Sequence, residues 1–220
     1  MHIENIRYII SAIFLLFASG QLAGQQDSTK FQTAYTPDFK FEDGVFLNIE
    51  QLKQNKPISN GRILTNLNPN DFNFFAQLLD EKTISVYDDF GNIAQIPTGS
   101  IWGFASKGIL HLNYADAFNR IAVFGQISYF MAEITSEYVS FDPITNMQQI
   151  SMQTEIKPFL LDYKTDKVYA MNMKNIGDLI EDDKQLSDEF KSLSNRKKKK
   201  EAYLFLMRYN EKHPVYLPKK

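Results

Sequence analysis

Thr83-Ile-Ser-Val-Tyr87, Asn92-Ile-Ala-Gln-Ile96, Ile101-Trp-Gly-Phe-Ala105 and Ile109-Leu-His-Leu-Asn-Tyr114 follow one another at close spacing. They are joined by Asp88-Asp-Phe-Gly91 and Lys107-Gly108 and closed by the apolar run from Ile121 to Met131. Short β-prone runs punctuated by glycine-bearing turns read as an antiparallel meander. Within it, Leu110, Leu112 and Tyr114 alternate with Ile109, His111 and Asn113, the pattern of a strand with one face buried. The closing run differs. Ile121, Val123, Ile127, Tyr129 and Met131 fall on one side and Phe124, Phe130 and Ile134 on the other, which predicts a central strand covered above and below. Gly125 predicts a bulge or bend within it.

Upstream, residues 1–24 combine one arginine, an apolar stretch from Tyr8 to Leu16 broken only by Ser11, and a small-residue exit at Ala18, Ser19, Gly20, Ala23 and Gly24. That order predicts a secretory signal peptide. The apolar run falls short of the roughly 20 residues needed to span a bilayer. The expected location is therefore periplasmic or extracellular, with cleavage near Gly24 or Gln25. Polar residues 25–40 predict a flexible leader. Residues 41–220 are expected to form one α+β domain, mainly β over 41–171 and helical over 172–214. Asp43-Gly44 with Val45 and Leu47, and then Arg62 to Thr65, predict short strands. Ile49 to Asn55 and Asp71 to Leu79 predict short helices, the second with an alternating reading left open. Polar Val139 to Gln153 predicts a loop. Glu155 to Tyr163 and Lys167 to Met171 predict a hairpin around Lys164-Thr165-Asp166.

After Met171 the apolar spacing lengthens from two to about 3.6. Ile176, Leu179 and Ile180, then Leu186, Phe190 and Leu193, then Ala202, Phe205, Leu206 and Tyr209 predict three helices, the last ended by His213-Pro214. Such stripes must bury against something, and the doubly apolar strand offers the surface. The expected architecture is a curved antiparallel sheet or partly open barrel with two or three C-terminal helices packed on it. The chain has no cysteine, so stability rests on packing, to which 18 Phe and 11 Tyr contribute.

Charge is uneven. The chain carries a formal −2, yet the basic residues gather at the C-terminal end, with Arg196, Lys197, Lys198, Lys199 and Lys200 in one run. The acidic body argues against nucleic acid as partner. The run reads either as a contact for an anionic surface or as a solvated helix start facing Asp178, Glu181, Asp182, Asp183, Asp188 and Glu189. No Gly-x-Ser-x-Gly, Walker loop or dinucleotide fingerprint occurs. With no cysteine and only His111 and His213 beyond the leader, neither metal nor cofactor is expected. The pairs Asp88-Asp89 and Asp182-Asp183 keep a carboxylate hydrolase acting on glycan or peptide in play, though Asp88-Asp89 reads more simply as a turn. Trp102 is the single tryptophan. It and His111 are the candidate ligand-binding residues, each with a structural reading beside it: a core anchor for Trp102, a hydrogen-bonded surface histidine for His111.

Four segments carry a resemblance. Glu42-Asp-Gly-Val-Phe-Leu-Asn-Ile-Glu-Gln-Leu-Lys-Gln-Asn-Lys-Pro57, Ile101-Trp-Gly-Phe104, Leu161-Asp-Tyr-Lys-Thr-Asp-Lys-Val168 and Arg208-Tyr-Asn-Glu-Lys-His-Pro214 resemble uncharacterised exported proteins of Bacteroidota. Where that family often has Thr-Gly in the late hairpin, this chain has Thr165-Asp166. The resemblance implies export and this architecture, and no activity. The expected function is a non-catalytic binding or envelope-associated protein whose partner is a glycan, a peptide or an envelope component.

Overall fold

The computed structural model describes residues 31–142 and 147–219. The predicted signal peptide and the first residues of the leader lie outside that range. Two compact units are present. In the one formed by the chain ends, Lys219 N–H donates to the Phe31 carbonyl at 2.8 Å. The other is residues 34–218. The strands are β1 (Gln32–Ala34), β2 (Gly44–Phe46), β3 (Ile58–Ser59), β4 (Ile63–Leu64), β5 (Thr83–Tyr87), β6 (Ile93–Pro97), β7 (Gly103–Ser106) and β8 (Ile109–Tyr114). They continue with β9 (Ala117–Val123), β10 (Ile127–Asp142), β11 (Met147–Asp162), β12 (Lys167–Ala170) and β13 (Tyr216–Pro218). The helices are α1 (Ile49–Lys53), α2 (Phe74–Leu79), α3 (Met173–Leu179), α4 (Lys184–Ser192) and α5 (Asn195–Lys212).

Eight strands, in the order β12-β11-β10-β9-β8-β7-β2-β3, make one antiparallel sheet that curls into a half-barrel. Its inner face holds Phe46, Leu110, Leu112, Phe130, Phe159 and Leu161, joined by Phe41 and Phe124 and by Val215 and Leu217 from the tail. The outer face is covered in two places. Over β2 and β7 lies a small three-stranded sheet, β4-β5-β6, with α2 beside it, burying Val45, Phe74, Ile84, Val86 and Phe104. Over β10 and β11 lie α3, α4 and α5, burying Ile127 and Leu160 against Ile176, Leu186, Phe190, Phe205 and Leu206. The α+β reading and its helix-covered sheet hold. Each of these large side chains contributes about 1.5–3 kcal/mol by leaving water.

Several expectations need correction. The meander is divided between two sheets, because the turn at Thr98–Ser100 and Ile101 carries the chain from β6 to β7. The run Ile121–Met131 is two antiparallel strands: β9 and β10 meet in a tight turn around Gly125. The close fit there forces a glycine, since a Cβ on Gly125 would stand 2.5 Å from the Asn210 side chain. The described part of the predicted leader is ordered. Tyr35 and Phe39 pack on the Phe41–Phe124 cluster, and Tyr35 N–H donates to Val215. The stretch Val139 to Gln153, read as a loop, is for its described residues strand: β10 and β11 stay paired to Asp142 and Met147.

The helix starts follow local chemistry. Asn48 accepts the Gln51 N–H while the Gln51 side chain reaches back to the Leu47 N–H, a reciprocal cap. Asn172 and Asp183 cap α3 and α4 through the N–H groups of Asn175 and Leu186. Asp71 closes a turn onto the Asn73 N–H ahead of α2, and Phe72 points outward, so that helix buries Phe74, Phe75 and Leu78.

Candidate binding surface

The β10–β11 pair runs in register over sixteen residues a side, from Ile127↔Asp162 to Asp142↔Met147. At about 3.4 Å per residue it spans roughly 50 Å. Neighbours cover only its root: β9 pairs with Tyr129 and Phe130, and β12 with Phe159 to Asp162. Beyond Ala132 the two strands continue as a ribbon with both edges open. Successive side chains take opposite faces, and directly paired residues share one. One face therefore carries Met131, Glu133, Thr135, Glu137, Val139 and Phe141 opposite Pro158, Ile156, Thr154, Met152, Ile150 and Gln148. The other carries Ile134, Ser136, Tyr138 and Ser140 opposite Glu155, Gln153, Ser151 and Gln149.

The first face is the more apolar one, although it also carries Glu133, Thr135, Glu137, Gln148 and Thr154. Met131, Val139, Phe141, Ile150, Met152 and Ile156 are 40–69% exposed. The second is mostly polar and satisfies itself locally, with Ser140 donating to the Gln149 carbonyl and Ser151 to the Tyr138 carbonyl. The apolar face is the outward continuation of the one that α5 covers at the root. There Tyr129 meets Tyr203 edge-on at 5.6 Å, and its hydroxyl contacts the Met131 sulfur at 2.9 Å. A cleft of about 390 Å³ at this junction is lined by Pro158, Met171, Met173 and Lys199. Tyr203, Leu204 and Met207 of α5 are exposed as well.

The basic run occupies the first turns of α5. Lys198 lies over the Phe190 ring at 5.7 Å. Among the described residues none of the five cations has a carboxylate within ion-pair distance. The acidic stretch is instead engaged by Lys164 (Asp182), Lys174 (Asp178), Lys191 (Glu181), Arg208 (Glu189) and Lys212 with His213 (Asp183). The expected facing of the basic run and that stretch does not occur. Five unpaired cations stand at the positive end of a helix dipole, where cations are disfavoured.

The structure separates the two other candidates. Trp102 packs on the inner core, and its indole N–H donates to Asp166 Oδ1 at 2.7 Å. Asp166 sits at φ 57°, in the left-handed region that glycine fills most easily. Burial raises the Asp166 carboxyl above its ordinary range, opposed by the Trp102 hydrogen bond. His111 lies on the outer face, stacked on Phe104 at 4.4 Å, in a cleft of about 330 Å³ with Phe72, Phe75 and Arg120. Burial pushes its imidazole below the usual range. Among the described residues no carboxylate is hydrogen-bonded to it, the orienting partner of a catalytic base.

The carboxylate pairs are accounted for. Asp88 accepts the N–H groups of Phe90 and Asn92 in a tight turn, and Asp89 pairs with Arg62 at 2.8 Å. A polar cleft of about 580 Å³ between β11 and the helices includes Asp162, Asp178, Glu181 and Asp182. Burial raises Asp182, but the Tyr209 hydroxyl at 2.8 Å and Lys164 outweigh it and hold the carboxyl below its ordinary range. A general acid needs a raised value. Among the described residues no group of three His, Asp or Glu side chains is placed to hold a metal ion, and no helix is long and apolar enough to cross a membrane.

Polar dilution hid the ribbon in the sequence. The only available signal was the alternation of Val139 with Phe141 and of Ile150 with Met152, diluted by Ser, Thr and Gln. Comparison with known protein families, with curated proteins and with solved structures finds no match.

Proposed function

We propose that this chain is an exported, non-catalytic binding protein of the cell envelope, and that it engages its partner through the apolar face of the β10–β11 ribbon. One observation carries the reading: six exposed apolar side chains share one face of a ribbon whose other face is mostly polar. A patch of that kind on an otherwise well-packed protein marks an interaction surface. The apolar leader with its small-residue exit supports export. The carboxylates of the polar cleft are paired or hydrogen-bonded, and Asp182 is held below its ordinary range, opposite to what a hydrolase's acid needs.

The test is fractionation. The protein recovered from cells begins near Gln25 and stays with the envelope, whereas a Val139→Glu/Ile150→Glu variant is released. A variant that fractionates like wild type removes the reading. The unpaired cations at the start of α5 favour a second reading, peripheral attachment to an anionic surface. Pelleting with anionic vesicles that survives replacement of Lys197 to Lys200 by Gln removes that one.

A further inference from the structure

We propose that the occupant of the ribbon's apolar face is the same face of a second copy of this chain, related by a two-fold axis, with each acidic ribbon lying along the basic helix start of the other protomer. This rests on the reading of the ribbon as a binding surface and names what it binds.

Charge is the first argument. The ribbon bears Glu133, Glu137 and Glu155 against Lys157, which is already paired with Glu155 at 2.9 Å. Glu133 and Glu137 both stand on the apolar face, along the β10 side, while Ile150, Met152 and Ile156 line the β11 side. The basic run borders the same face, because Lys199 lines the cleft beside Pro158, the partner of Met131 in the ladder. Lys199 and Lys200 precede Tyr203 by one helical turn and so share its stripe. Each chain thus carries an acidic apolar surface and an unpaired basic one side by side. A two-fold that sets the basic helix start of each copy along Glu133 and Glu137 of the other would bring unlike charges together twice, the self-complementarity that such a contact requires. An anionic bilayer fits less well. It would repel Glu133 and Glu137, and inserting the apolar face would strip water from both carboxylates.

Area is the second argument. From Met131 to Asp142 the ribbon is roughly 40 Å long, and with two strands about 10 Å wide. One face then offers about 400 Å², half of the roughly 800 Å² per partner of a standard interface. Exposed Tyr203, which meets Tyr129 at the root, and Met207 one turn further along α5 would add to this area.

The experiment is sedimentation equilibrium on the chain begun at Gln25, which keeps every described residue, over about 1–100 µM. A dimer is expected. Val139→Glu/Ile150→Glu, at exposed positions, should weaken it at least tenfold, and so should changing Lys197 to Lys200 all to Glu, a replacement that suits the helix dipole. Ser136→Glu, on the polar face, should leave it unchanged. A wild-type monomer throughout overturns the proposal, as does a dimer indifferent to Val139→Glu/Ile150→Glu. A monomer that pellets with phosphatidylglycerol vesicles, and loses this with the double substitution, assigns the face to lipid and also overturns it. If the chain is monomeric but the double variant is still released from the envelope, only the choice of occupant fails. If the variant behaves as wild type in both assays, the binding reading falls with it.

Discussion

The two halves of the β10–β11 hairpin share the same strands, the same ladder and the same two-residue alternation, yet they live in different surroundings. At the root, Phe130 and Phe159 face the inner core while Ile127 and Leu160 face α3 to α5, so both sides are closed. Past Ile134, which still packs on the inner core, the described chain leaves both sides of the ribbon largely uncovered, and the apolar face meets water. In the first half an alternating pattern is a consequence of packing. In the second it has no packing to serve. An apolar face that the fold does not use is therefore the most informative feature of the molecule.

Stability should divide along the same line. Phe130 is fully buried, with the Tyr114 and Phe159 rings at 5.6 and 5.8 Å. Phe130→Ala should cost about 3–5 kcal/mol in denaturant unfolding. A loss below 1 kcal/mol would mean that the root is no better packed than the arm.

The contact between the β9–β10 turn and α5 should show the next largest effect. The Asn210 amide accepts from the Ile127 N–H at 2.9 Å and donates to the Ile127 carbonyl at 2.8 Å, taking the place of a neighbouring strand. Gly125→Ala should push this amide away and cost about 1–3 kcal/mol. The double variant with Asn210→Ala should cost less than the sum of the single changes, because both disturb one contact. Simple additivity would show that the turn and helix are not coupled.

Acid should loosen the helical cover. Asp183 caps α4 and also holds Lys212 and His213 at the end of α5, at 2.6 and 3.1 Å. The Lys212 bond first, then the Leu186 N–H, holds its carboxyl well below the ordinary range. Arg208 lowers Glu189 in the same way. Carboxylates whose folded values are lowered bind fewer protons folded than unfolded. Their stabilisation is present above the ordinary carboxylate range and fades as pH falls through it toward the folded values. Tm should drop steeply below about pH 4. Asp183→Asn should lower Tm at pH 7 and flatten the acid limb, and an unchanged limb would discount the cluster.

Strong periodicity made the covered half readable. Phe205 and Tyr209 repeat at helical spacing, and Leu110 and Leu112 alternate, because each must fill a core. The arm was hidden because a solvent-bathed ribbon is free to place Ser, Thr and Gln between its apolar residues, and such a stretch has the composition of a loop. The turn at Gly125 was hidden for the opposite reason: both flanking strands are so apolar that only Gly125 and Gln126 mark the reversal. Of the two readings of Trp102, the packing one was legible in its apolar run, but its partner Asp166 is 64 positions away, a distance that only the sheet spans.

The smallest effect concerns the arm itself. Ile150 is 65% exposed, so Ile150→Glu removes almost no buried surface and places a carboxylate in water. Below the association range the unfolding free energy should change by less than about 0.5 kcal/mol. At tens of micromolar the comparison should differ. A wild-type dimer gains stability by mass action, so its Tm should rise with concentration while that of the variant stays flat. A variant destabilised at every concentration would mean that Ile150 packs within its own chain, and the two halves of the hairpin would then be the same kind of structure. A flat wild-type curve with an equally flat variant would leave the arm exposed but not self-associating.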